Sequence, residues 1–292
     1  MDGNEWLADR FEQHRPRLRT VAYRMLGSLA EADDAVQDAW LRLSRSDAEQ
    51  IDNLGGWLTT VVARECLHML RSRRQRREDL FDTHLPDLVV VPDGALDPEQ
   101  EALLADSVSV AMLVVLDRLA PAERLAFVLH DMFDLPFQEI ADLVGRSPAA
   151  ARQLASRARR RVNGAEPVAP DPDLTRQKKV VDAFYAAART GDFGALVEVL
   201  DPDVVLHTDF GAGRTPVVVH GAATVARGTR VPSGGELRPA LVNGAIGAVI
   251  TVAGQPFSIM AFTVAGDRIV RIDVVRDPAR VGRLAATVLD RW

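Results

Sequence analysis

The chain has 292 residues, a formal net charge of −6, 47% apolar and 26% charged residues. That balance suits two or three globular domains with proper cores and excludes a fibrous or low-complexity chain. A single cysteine, Cys66, excludes an internal disulfide and a thiol cluster for zinc.

The acidity is unevenly placed: from 81 to 118 eight acids face one base, whereas RSRRQRR (71–77) and RARRR (157–161) are basic. Contact with a polyanion would therefore be local. No run of about 18 apolar residues occurs. The start, MDGNEWLADRFEQ, lacks the basic-then-apolar order of a signal peptide, so a cytoplasmic protein without a membrane partner is expected.

Residues 5–77 read as helical. Leu18, Val21, Ala22, Met25 and Leu26 share one face, Gly27-Ser28 stops that helix, and Ala35, Val36, Ala39, Trp40 and Leu43 form the next apolar face. A polar loop (44–56) leads into a long helix from Trp57 with a basic end, so 1–80 is expected to be a small all-α domain. Residues 81–106, acidic and proline-containing, read as an extended linker. A second helical block occupies 107–165, and the proline-rich stretch 164–174 marks another boundary.

The block 107–165 ends in QEIADLVGRSPAAARQLASRARRR. Phe137, Ile140, Ala141 and Val144 form an apolar face, Gly145 allows a tight turn, and Ser147-Pro148 begin a second helix. That helix keeps Ala151, Leu154, Ala155 and Ala158 inward and presents Arg152, Gln153, Ser156, Arg157 and Arg160 outward. Long donors on a helix that small residues can bury suit recognition of DNA; an ordinary helical hairpin with a solvated basic face is the alternative. From 174 to 292 two helices precede strands (VVVH, AIGAVITVAG, FSIMAFTVAG, RIVRIDVV), which predicts an α+β domain with helices on a curved antiparallel sheet.

EADDAVQDAWLRL followed by GGWLTTVVARECLHMLRSRRQRR resembles region 2 of the group 4 (extracytoplasmic-function) sigma factors of bacterial RNA polymerase. LAPAERLAFVLHDMFDLPFQEIADLVGRSPAAARQLASRARRR is similar to their region 4, and the tail resembles the SnoaL-like, nuclear-transport-factor-like extension of the sigma-J-like branch. The branch's linker motif corresponds to His84-Leu85-Pro86-Asp87-Leu88, and its two tail motifs to Asp209–Arg214 and Asp277–Arg280, all in altered form. The implied fold is multidomain: two all-α sigma domains, the second a helix-turn-helix, and an α+β cone-shaped tail.

The resemblance implies a promoter-selecting subunit of core polymerase, without cofactor or metal. Asp33, Asp34, Gln37, Asp38 and Arg42 would dock on the β′ clamp helices, and region 4 would meet the β flap. Asn53, Trp57, Thr60 and Arg64 would engage the melted −10 element, with Arg71, Arg73 and Arg74 on phosphates. Arg146, Ser147, Arg152, Gln153, Ser156, Arg157 and Arg160 would read or hold the −35 duplex. The linker would follow the polymerase's nucleic-acid path. Pro86, Asp87, Asp209, Arg214, Asp277, Pro278 and Arg280 would join tail to sigma core and modulate it in cis.

A tail of this shape also suggests a pocket with a small-molecule ligand, or catalysis by His207, Asp209, His220 or Asp273, although no pair among these has a diagnostic spacing. A helix-turn-helix regulator acting without polymerase, and a SnoaL-type enzyme fused to a helical module, are the competing classes. A plain repressor has no use for the region 2 block, and a fused enzyme needs an acid–base pair that the sequence does not display.

Overall fold

The computed structural model describes residues 3–46, 51–77, 85–92, 108–164, 171–211 and 213–289. Helix α1 (Gly3–Leu26) buries Leu18, Val21, Met25 and Leu26 and ends at Gly27, whose φ of +69° suits only glycine without cost. Ser28 caps α2 (Leu29–Leu43), which turns Ala35, Val36, Ala39 and Leu43 inward. Helix α3 (Leu54–Arg77) starts three residues before Trp57, because Asn53 Oδ1 accepts the Gly56 amide at 3.0 Å. These helices pack together around Leu58, Val62, Cys66 and Leu67.

The second helical block comprises α4 (Val110–Asp117), α5 (Pro121–Phe127), a π-helical turn (Val128–Met132), α6 (Phe137–Val144) and α7 (Pro148–Gly164). Met1–Phe81 and Met112–Pro167 form one compact unit, in which α5 and α6 pack on α3 and the π-helical turn on α1. The brace is Arg124, only 1% exposed. Its Nε and Nη2 donate to the carbonyl of Arg24 at the end of α1 (3.2 and 3.1 Å), and Nη1 to Asp117 (3.0 Å). A buried guanidinium is tolerated because carbonyl and carboxylate oxygens replace its water.

The other unit comprises Asp82–Ala111 and Val168–Trp292. Asp173 caps α8 (Leu174–Thr190); Gly191 (φ +69°) ends it, and Asp192 caps α9 (Phe193–Val199). Then follow β2 (Leu200–Asp209), β3 (Val217–His220), α10 (Ala222–Gly228), β4 (Gly235–Val242), β5 (Ala245–Val252), β6 (Gln255–Ala265), β7 (Arg268–Val275) and α11 (Pro278–Leu289).

Two features depart from expectation. The connecting segment supplies β1 (Val90–Pro92), so among the described residues the sheet has seven strands in the order β1-β4-β5-β6-β7-β2-β3. Leu85, Leu88, Val89, Val90 and Val91 are all buried, so the described part of this segment is core of the second unit rather than a solvated tether. The sheet is also mixed: β2 runs parallel to β7. A parallel neighbour needs a long crossover, here everything from β3 to β6, which strand spacing does not reveal.

Candidate nucleic-acid interface

On α2 the residues Asp34, Gln37, Asp38 and Leu41 form one exposed stripe at helical spacing. Leu41, 40% exposed, escaped the sequence reading because it lies outside the apolar face. Asp33 is bound by Arg19 (2.6 and 3.2 Å) and Arg42 by Glu65 (2.7 Å), so the unpaired acids of the stripe are Asp34 and Asp38 among the described residues.

On α3, Arg64, Arg71 and Arg74 are exposed, Trp57 and Thr60 half-buried. Arg73 differs from its expected phosphate role: it pairs with Glu31 and donates to the Leu26 carbonyl (3.0 Å), capping α1. Asn53 is exposed but already employed as the cap of α3. It lines a cleft of about 460 Å³ with Arg10 and His14 on one wall and Phe133, Asp134 and Glu139 on another.

In the helix-turn-helix, Gly145 adopts the left-handed conformation (φ +69°), and Ser147 Oγ accepts the Ala150 amide at 3.3 Å. Ala151, Leu154, Ala155 and Ala158 are buried, while Arg146, Ser147, Arg152, Gln153, Ser156, Arg157 and Arg160 are exposed. Neighbouring arginines are committed elsewhere: Arg159 to Asp131 (2.5 Å) and Arg161 to Glu123 (2.7 Å). Arg152 and Arg157 have no carboxylate partner among the described residues, so their charge remains available to phosphates and base edges.

Of the tail's acid–base candidates, the structure brings His207 and Asp273 together, buried, on the sheet face away from α8. Phe262 and Met260 of β6 meet Phe184 and Tyr185 of α8, so even-numbered β6 side chains face that helix. Ala261 pairs with Asp273, which pairs with His207, and that row faces the opposite side. Asp273 is held by both nitrogens of Arg271 (2.7 and 2.6 Å), with His207 Nδ1 at 3.6 Å; His220 lies exposed on the edge strand β3.

Asp209 instead organises a seat for the connecting segment. It is fully buried; one oxygen accepts the Gly211 amide (2.9 Å), the other the Leu85 amide (2.8 Å) and Arg280 Nη1 (2.6 Å). Arg280 Nη2 donates to the carbonyls of Leu85 and Pro86 (2.8 and 2.9 Å), with Asp87 at 3.6 Å. Asp277 holds the Arg280 amide (2.7 Å), and Pro278 opens α11. Gly211 (φ +87°) is needed because a Cβ there would collide with the Asp277 carboxylate.

Arg214 lies apart, over the Phe210 ring at 4.5 Å. His84 is outside the described residues. A second clip escaped the sequence reading: Asn243 Oδ1 accepts the Val89 amide (2.9 Å) and Nδ2 donates to the Val108 carbonyl (3.0 Å). The signal was Asn243-Gly244, a hairpin dipeptide with both φ angles positive.

Comparison with known proteins places the two helical blocks in known families. Residues 10–76 match the sigma-70 region 2 family and 109–162 match sigma-70 region 4. The extracytoplasmic-function (ECF) RNA polymerase sigma factor SigJ of Mycobacterium tuberculosis is 42% identical over 84% of this chain and 81% of its own. The chain is an ECF sigma factor.

A second M. tuberculosis protein, "Probable ECF RNA polymerase sigma factor SigI", is 41% identical over 73% of this chain and 72% of its own. The crystal structure of M. tuberculosis SigJ superposes with a TM-score of 0.75 at 37% identity, covering 94% of this chain and 97% of that one. This ECF sigma factor therefore carries two helical sigma domains and a C-terminal mixed α/β tail, and acts in promoter-directed transcription initiation with core RNA polymerase and promoter DNA rather than as an enzyme. No helix among its described residues is long and apolar enough to cross a membrane.

Proposed function

We propose that this sigma factor works in the cytoplasm, docks on the β′ clamp helices through Asp34, Gln37, Asp38 and Leu41, and meets the β flap with region 4. Asn53, Trp57, Thr60 and Arg64 engage the melted −10 element, with Arg71 and Arg74 on phosphates. Arg152, Gln153, Ser156 and Arg157 read the −35 duplex, with Arg146, Ser147 and Arg160 on its backbone. The single observation that carries the −35 assignment is the pair of exposed arginines, Arg152 and Arg157, left without carboxylates on a helix whose other face is buried.

The tail modulates this activity in cis by holding the segment between regions 2 and 4 in the Asp209–Arg280 seat, which the four contacts of Arg280 support. A small-molecule ligand has no comparable support, since the rings of Phe184, Tyr185 and Phe262 pack together between α8 and the sheet. Run-off transcription with core polymerase, using the whole chain and one truncated near residue 165, tests both parts. Specific transcripts are expected from the whole chain, and a different yield from the truncated one. Absence of transcripts from a genomic promoter library with either chain would sink the promoter assignment, and equal yields would sink cis modulation.

A further inference from the structure

Phe137 was expected to be a core residue, yet it is only half-buried at the first position of α6. One face of its ring lies against the imidazole of His130, with centroids 3.8 Å apart and planes inclined by 34°. The guanidinium of Arg152 stands over the ring at 5.6 Å from its centroid. His130 is itself fixed: Nδ1 lies 2.9 Å from the Leu135 carbonyl, which can only accept, so Nδ1 carries the proton. The π-helical turn Val128–Met132 and the positive φ of Asp134 (57°) bring His130 back over the start of α6. The result is a cluster of imidazole, phenyl ring and guanidinium, anchored on the loop carbonyl of Leu135 and ending on α7.

An exposed arginine on a helix ordinarily samples many rotamers and loses that freedom on binding. Seating the guanidinium over an aromatic face restricts it beforehand, and a planar cation is well suited to that face. We infer that Phe137 is a positioning residue for −35 discrimination: it pre-orients Arg152 toward base edges and touches no base itself. This rests on the −35 role proposed for Arg152. It accounts for a large ring standing half-exposed at the first position of α6.

The test is run-off transcription by the full chain with core polymerase on a promoter selected by that holoenzyme, and on the same promoter with single −35 base-pair changes. Phe137→Leu keeps an apolar side chain and removes the ring, whereas Phe137→Trp keeps a cation-binding face. Phe137→Leu should lower discrimination between the two promoters by about two- to five-fold, and Phe137→Trp should restore most of it. Core polymerase affinity should stay unchanged in both.

A double-mutant cycle separates positioning from packing. In an Arg152→Ala background, Phe137→Leu should cost no further discrimination; additive losses, or wild-type discrimination by Phe137→Leu alone, overturn the inference. If Arg152→Ala itself leaves discrimination unchanged, the −35 role of Arg152 fails first, and Phe137 has nothing to position.

Discussion

Asn53 illustrates how one side chain can carry two burdens, since its carbonyl oxygen caps α3 while its exposed edge belongs to the proposed −10 surface. Asn53→Ala should cost about 1 kcal/mol of stability through the lost cap. Asn53→Ser should keep the cap, so promoter opening that falls equally in both variants would place the amide on DNA. Activity that merely follows the thermal midpoint would make Asn53 structural.

Arg280 and Asp209 allow a sharper separation. Arg280→Ala leaves a buried carboxylate without its cation and should destabilise the second unit by about 3–5 kcal/mol in denaturant titration. Asn243→Gly retains the positive φ of the hairpin and the backbone bond to Val89 but loses the side-chain bonds to residues 89 and 108. It should cost less, about 1–3 kcal/mol. Both should shift the transcription yield in the same direction if holding the segment is what modulates activity.

At the scale of elements, helices were more legible than sheet partners. The faces of α1, α2 and α7 follow from 3.6-residue spacing, and Gly27, Gly145 and Gly191 all stop helices with φ near +69°. What local pattern could not supply was pairing. Val90–Pro92 is too short and too flanked by proline and acids to read as a strand, and its partner β4 is distant in sequence.

The candidate site shows the same division. Exposure of Arg152 and Arg157 follows from helix phase, but Arg73 turning inward to Glu31 depends on a helix end 42 residues away. Arg124 was equally invisible as a brace. Arg124→Met should unfold the first unit at markedly lower temperature, because the Arg24 carbonyl and Asp117 lose their donor while little space is gained. A thermal midpoint within one or two degrees of wild type would show that water replaces the guanidinium.

For the whole molecule, pH acts through two buried groups. Burial, reinforced by Glu65, pushes the Cys66 thiol above its ordinary value of 9.0, and burial likewise pushes up the Tyr185 hydroxyl from 10.0. The folded chain keeps these protons at pH values where the unfolded chain releases them. Stability is therefore whole below pH 9 and falls by about 1.4 kcal/mol per pH unit for each group, above pH 9 for Cys66 and above pH 10 for Tyr185. Cys66→Ala should flatten the alkaline fall of the first unit and leave that of the second; an unchanged slope would count against this origin.

The strand β1 also sets an order of events. It leaves the ribosome roughly 150 residues before its partners in β4, which at about 5–20 residues per second is a delay of roughly 7–30 s. For about the second half of that interval, once Gly164 has emerged, regions 2 and 4 are complete while Leu85 and Leu88–Val91 have no sheet to join. A nascent chain thus passes through a stage in which the sigma domains exist with their connection unclaimed. Under the cis modulation proposed above, core polymerase present at that moment meets a sigma core that the unfinished tail does not yet restrain, so translation rate as well as affinity sets the outcome.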